Sequence, residues 1–142
     1  MRIEFNFEFG LYNGSMNIVI MQHNNVLFES NDNIQSCITI VLDIISPGML
    51  TICLDGKDNN IDTKVDSDGN IIADKYVRLQ GLKVGRIPVL EPNLSAICQY
   101  KKSTNEQVNH VYWGWNGWVH MNFDHINPVL WHAHNNPKHV IG

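Results

Sequence analysis

Between Asp55 and Asp74 the chain carries six aspartates, Asp55, Asp58, Asp62, Asp66, Asp68 and Asp74, with Asn60 and Asn70 among them. Hard oxygen donors at this density suit Ca²⁺, which takes about six to eight carboxylate, amide and carbonyl oxygens. Asp66-Ser67-Asp68-Gly69-Asn70 is not an EF-hand loop, because its glycine comes too early and no glutamate closes the site. The same residue types also build solvated turns without any metal, and Asp68-Gly69 alone is a hairpin signal. Histidine is the second metal-capable type: six of the seven lie from His110 to His139. On a strand, His132-x-His134 would put two imidazoles on one face, with His120, His125 or His139 as a third ligand for Zn²⁺. No glutamate follows that pair in the manner of a cupin. Asp124-His125 has no serine or cysteine in a nucleophile-elbow setting, no pair of carboxylates on facing strands can be assigned, and no glycine-rich phosphate loop is present.

The third constellation is aromatic. Trp115-Asn116-Gly117-Trp118 places an Asn-Gly pair between two tryptophans inside the apolar run 111–123. Asn-Gly favours a type I′ hairpin, since both central residues take φ > 0. Pairing outward from that turn sets Trp115 opposite Trp118, Trp113 opposite His120 and Tyr112 opposite Met121. Alternation then gives Tyr112, Val119, Met121 and Phe123 one face, as core. The other face carries Trp113, Trp115, Trp118, His120 and Asn122, flat aromatic rings with polar neighbours. Such a face either packs under a second layer or stays open to stack on sugar rings or a partner protein.

The elements that must position these groups read mostly as strands. Residues 2–9 alternate, with Ile3, Phe5, Phe7 and Phe9 on one face and Arg2, Glu4, Asn6 and Glu8 on the other. Asn13-Gly14 is expected to turn this strand back into 16–21 as an opening hairpin. Further strands are expected at 26–29, 37–45, 49–54, 76–84, 87–90, 95–100 and 129–134, with a small turn at Asp68-Gly69. The 76–84 strand alternates without a purely apolar face. The one helix signal, Ser103 to Glu106 as a capping box, has no apolar stripe after it. The pattern predicts an all-β, single antiparallel β-sandwich, jelly-roll-like, with little or no helix and one domain over residues 1–142.

Composition narrows the function. Net charge is −4 across 142 residues, and the Lys and Arg residues form no basic stripe, which disfavours nucleic acid as a partner. No signal peptide or transmembrane run is apparent, so a soluble protein is expected. Cys37, Cys53 and Cys98 lack CxxC spacing and sit in apolar runs, which predicts buried free thiols.

Residues 50–54, the acidic loop, and then Asp74-Lys75-Tyr76-Val77-Arg78-Leu79-Gln80-Gly81-Leu82-Lys83-Val84-Gly85 together resemble the Ca²⁺-dependent xylan-binding jelly-roll modules. In those modules a strand leads into an Asp/Asn-rich calcium loop and then into an Asp-initiated strand ending V-x-G. The resemblance covers about a quarter of the chain. It implies a non-catalytic module in which a metal helps bind sugar hydroxyls, with Asp55, Asp58 and Asp74 as the carried-over ligands. Asp74-Lys75-Tyr76 stands where the family has Asp-Arg-Asn, and a hairpin interrupts the loop. The Asn-rich chain is also similar in style to small bacteriophage virion decoration proteins, a likeness of type that no motif carries.

Three functional expectations follow. The first is a glycan-binding module acting through Trp113, Trp115, Trp118, His120 and Asn122, with Ca²⁺ in the acidic loop. The second is a virion-surface decoration or adhesion protein whose aromatic face meets a protein partner, a capsid or tail protein, or a second copy. The third, from a different class, is a small metal-dependent enzyme built on His120, His132 and His134.

Overall fold

The computed structural model describes residues 1–30 and 35–135. Its strands are β1 (Arg2–Gly10), β2 (Asn17–Gln22), β3 (Asn25–Glu29), β4 (Cys37–Asp43), β5 (Gly48–Asp55), β6 (Thr63–Val65), β7 (Ile71–Asp74), β8 (Tyr76–Val84), β9 (Ile87–Pro88), β10 (Gln99–Lys102), β11 (Gln107–Asn109), β12 (Tyr112–Trp113) and β13 (Gly117–Phe123). Two short helices, α1 (Asn93–Ile97) and α2 (Pro128–Asn135), complete them. One sheet runs β12-β8-β1-β4, with β9 beside β8; the other runs β11-β10-β13-β5-β2-β3. Pairing within both is antiparallel. The chain passes repeatedly from one sheet to the other, and their inner faces share one apolar core, so the molecule is an antiparallel β-sandwich.

Alternation places the core as the sequence predicts at β1, where Ile3, Phe5, Phe7 and Phe9 are buried. Ile18 and Ile20 of β2, Leu50, Ile52 and Leu54 of β5, and Val119, Met121 and Phe123 of β13 face them from the other sheet. The mixed pattern of β8 has a specific cause. Asn6 pairs with Gly81 and Phe7 with Leu79, so Gln80 is the extra residue of a bulge. The bulge changes the parity of the strand, and Val77 and Leu79 before it and Leu82 and Val84 after it all point inward.

Four local expectations are corrected. Asn13-Gly14 does turn the chain, with φ of 60° and 98°, yet β1 and β2 lie in opposite sheets. The tight hairpin is β2–β3, whose His23 and Asn24 (φ 52° and 63°) form the two-residue turn between Gln22 and Asn25. Residues 95–97 of the expected 95–100 strand belong to helix α1. The capping-box segment at Ser103 is instead the β10–β11 turn, with Asn105 at φ 72°. Residues 129–134 are helix α2, because the Asn127 Oδ1 accepts the N–H groups of Val129 and Leu130 at 2.9 and 3.3 Å, and Pro128 occupies the first helical position. The one buried side chain of α2 is Trp131, stacked on Phe123 at 5.4 Å.

The cysteines also differ from expectation. All three are free thiols, but Cys37 is exposed, Cys53 half-buried and Cys98 buried. No helix among the described residues is long and apolar enough to cross a membrane.

Candidate functional site

The tryptophan segment is not a hairpin. β12 pairs with β8 in one sheet, while β13 pairs with β5 and β10 in the other. Residues 114–116 therefore cross between sheets, and Asn116 is not among the residues with positive φ. Burial of Trp113 drives the departure. Its ring is 0% exposed, 6.1 Å from Phe7 and 6.4 Å from Tyr100, and its Nε1 donates to the His110 carbonyl at 2.7 Å. Trp113 is thus core, and Tyr112, expected in the core, is 37% exposed. Gly117 lies where a Cβ would strike the Lys101 carbonyl, so glycine is needed there for close approach of β10.

This crossing shapes a cleft of about 560 Å³ at one end of the sandwich. Tyr112 and Trp115, the latter 38% exposed, form part of its wall, and Asn59, Asn60, Thr63, Lys102 and His110 bring polar groups to it. Each wall is fixed from behind. The Tyr112 ring lies 4.7 Å from that of Tyr76, and the His110 Nδ1 accepts the Tyr112 N–H at 2.8 Å. Trp115 is held by its own backbone: its N–H donates to the Tyr100 hydroxyl at 2.9 Å, and that hydroxyl donates to its carbonyl at 2.7 Å. Asn116 clasps the acidic loop, accepting the Lys57 N–H at 3.0 Å and donating to the Lys57 carbonyl at 2.7 Å.

Beneath the cleft is a buried charge network. The Lys57 side chain is 1% exposed, and its Nζ donates to Asp74 Oδ1 and to the Gly114 carbonyl, both at 2.6 Å. Asp74 also accepts from the Thr63 hydroxyl at 2.7 Å and the Tyr112 hydroxyl at 2.6 Å. Burial works to raise the Asp74 pKa, but the hydrogen bonds from Lys57, Tyr112 and Thr63, with the Lys57 charge, leave it lowered. Burial first, and then the bond to Asp74, raise the Tyr112 phenol, so it stays a neutral donor. A second pair lies nearby: the Lys75 Nζ meets Asp62 Oδ2 at 3.2 Å and the Gly56 carbonyl at 3.1 Å. Asp62 is held low chiefly by the Asp58 N–H, against burial, with Asn13 and Lys75 adding to it.

The sequence-based site residues therefore divide. Trp115 stands in the cleft and Trp113 beneath the surface, while Trp118, His120 and Asn122 lie on the outer face of the β13 sheet. There Trp118 is 36% exposed with the Lys101 ammonium 5.5 Å from its ring centre, and His120 shares a 3.1 Å hydrogen bond with Thr51. Burial and then Lys101 lower the His120 pKa. Lys57, Tyr112, His110 and Asn116 were missed as site residues. A lysine inside an otherwise acidic loop was the available signal for the first.

The acidic residues do not assemble a calcium site. Asp55, Asp58 and Asp68 are exposed, Asp58 Oδ1 accepts the Asn60 N–H, and Asp66 Oδ1 accepts the N–H groups of Asp68 and Asn70 at the β6–β7 hairpin. Asp62 and Asp74 are committed to ammonium groups. Among the described residues no three His, Cys, Asp or Glu side chains gather to hold a metal ion. The donor set present does not fit Ca²⁺.

The histidine site is not assembled either. On α2, residues two apart diverge in direction: the His132 Nε2 donates to the Val84 carbonyl at 3.0 Å, and His134 lies against His125 at 5.1 Å. His120 sits on the β13 sheet, and His139 lies outside the described residues.

Comparison with known proteins gives a fold. One similar solved structure is described as "vCBM60 in complex with galactobiose", with a TM-score of 0.51, 11% identity, 86% of this chain covered and 98% of that one. A second is the selenomethionine form of vCBM60, described within two families of calcium-dependent carbohydrate-binding modules linked by circular permutation. Its TM-score is 0.52 at 8% identity, covering 85% of this chain and 89% of that one. The fold is shared with these two solved structures. It bears out the sandwich architecture and the resemblance read from the sequence. No family model and no curated protein matches the chain.

Proposed function

We propose that this protein is a non-enzymatic glycan-binding module whose ligand lies in the Tyr112–Trp115 cleft. The observation that carries the reading is the cleft itself. Two half-exposed aromatic side chains, fixed from behind, stand beside amide, hydroxyl and imidazole groups in a space of disaccharide scale. C–H groups of a sugar ring would stack on the aromatic walls, and the polar groups would take its hydroxyls. The carbohydrate-binding modules that share the fold support the same reading. Calorimetric titration with galactobiose and with xylo-oligosaccharides tests it. Binding is expected to weaken at least about tenfold in Trp115→Ala; unchanged binding in that variant would move the site elsewhere.

A second reading has its own observation. On the outer face of the β13 sheet, Trp118 pairs across Cys53 to Val19, and His120 across Thr51 to Met21, with Lys101 and Glu29 flanking the Trp118 row. This face suits attachment to a protein partner or a larger particle such as a virion surface, leaving the cleft free for glycan. Trp118→Ala is expected to abolish co-sedimentation with such a particle while preserving sugar binding.

A further inference from the structure

We infer that the ammonium groups of Lys57 and Lys75 serve in this chain as its loop-ordering cations, so that the acidic loop forms without Ca²⁺. For the ligand, the inference rests on the glycan-binding reading above. A calcium ion orders a loop by drawing carboxylate and carbonyl oxygens onto one centre of charge. Both lysines do this with covalently attached charge. The Lys57 Nζ joins Asp74 Oδ1 at the end of β7 to the Gly114 carbonyl of the inter-sheet crossing. The Lys75 Nζ joins Asp62 Oδ2 to the Gly56 carbonyl, closing the start of the loop onto the start of β8. Both side chains are buried, so neither ammonium is a solvated surface charge. A divalent cation at either place would meet a like charge at the oxygens it needs, and each buried carboxylate is already matched in charge. The difference from the modules described as calcium-dependent is thus chemical: here the buried carboxylates of the loop are neutralised by lysines of the chain itself.

Calorimetric titration of CaCl₂ into chelator-treated protein, with melting followed in EDTA and in millimolar CaCl₂, reads this without any sugar. No binding heat and a melting temperature constant within about 1 °C are expected, since a tight resident site would raise it by several degrees. Stoichiometric Ca²⁺ binding with a higher melting temperature would overturn the inference. Lys57→Met is expected to lower the melting temperature, and adding Asp74→Asn to recover at least about half of that loss, because the neutral amide removes the orphaned charge. No recovery would assign Lys57 to packing and count against an ammonium role. Galactobiose affinity is expected to be equal in EDTA and in CaCl₂, and affinity seen only with Ca²⁺ would overturn the inference. Absence of binding in both conditions would count against the glycan reading alone, because the calcium titration is read independently of sugar.

Discussion

Trp113 and Trp115 stand two positions apart and do opposite work, one filling the core between the sheets and the other walling a cleft. Substitution separates them cleanly. Trp113→Ala is expected to cost about 3–5 kcal/mol in urea denaturation, as large buried aromatics do, whereas Trp115→Ala leaves stability nearly unchanged and weakens sugar binding. Asp74 ties the site to pH. Its native pKa and that of Asp62 are lowered, so the unfolded chain binds more protons as the carboxylates titrate. Their contribution is complete above the unfolded value of about 4 and is lost as pH falls through the lower native values. The urea midpoint is therefore expected to fall between about pH 5 and pH 2, and less steeply in Asp74→Asn. That variant starts less stable by about 3–5 kcal/mol, because it leaves the buried Lys57 ammonium unpaired.

At the scale of elements, the bulge at Gln80 decides which side chains of β8 reach the core. Deleting Gln80 would remove only the extra residue and leave a regular ladder, Phe7 opposite Leu79 and Asn6 opposite Gly81, with Val77, Leu79, Leu82 and Val84 still inward. Native circular dichroism is therefore expected from the deletion, whereas Leu79→Asp, which buries an unpaired charge, is expected to abolish it. Helix α2 has a milder dependence. Asn127→Ala removes the side chain that caps two N–H groups and is expected to cost about 1 kcal/mol in thermal or urea unfolding. The same helix shows why 129–134 reads as a strand in the sequence: its apolar residues are too few to declare a period, and the Asn127-Pro128 start signal outweighs them.

For the whole molecule, the sandwich grades its three thiols by depth. Cys37 is open to solvent, Cys53 is half-buried on the outer sheet face, and Cys98 is buried, with burial first and then Glu91 pushing its pKa up to about 12. A thiol reagent at neutral pH is expected to label Cys37 at once, Cys53 more slowly, and Cys98 at a rate that follows unfolding. Equal labelling of all three in native conditions would contradict the packing of α1 and β10 against the core.

Local chemistry was enough to determine the β-rich class, the inward face of β1, the turns at Asn13-Gly14 and Asp68-Gly69, and the division of β13 into Val119, Met121, Phe123 and Trp118, His120, Asn122. Each depends on period-two alternation or on the φ preferences of single residues, which need no distant partner. Tertiary structure alone decided that the Trp115-Asn116-Gly117-Trp118 segment crosses between sheets. A type I′ turn gains little beside the burial of a whole indole, and which sheet can bury Trp113 depends on Tyr100 and on Phe7, the latter far away in the chain. The pairing in the acidic loop was decided the same way: that Asp74 accepts Lys57 and Asp62 accepts Lys75 depends on where Gly114 and Gly56 present their carbonyls.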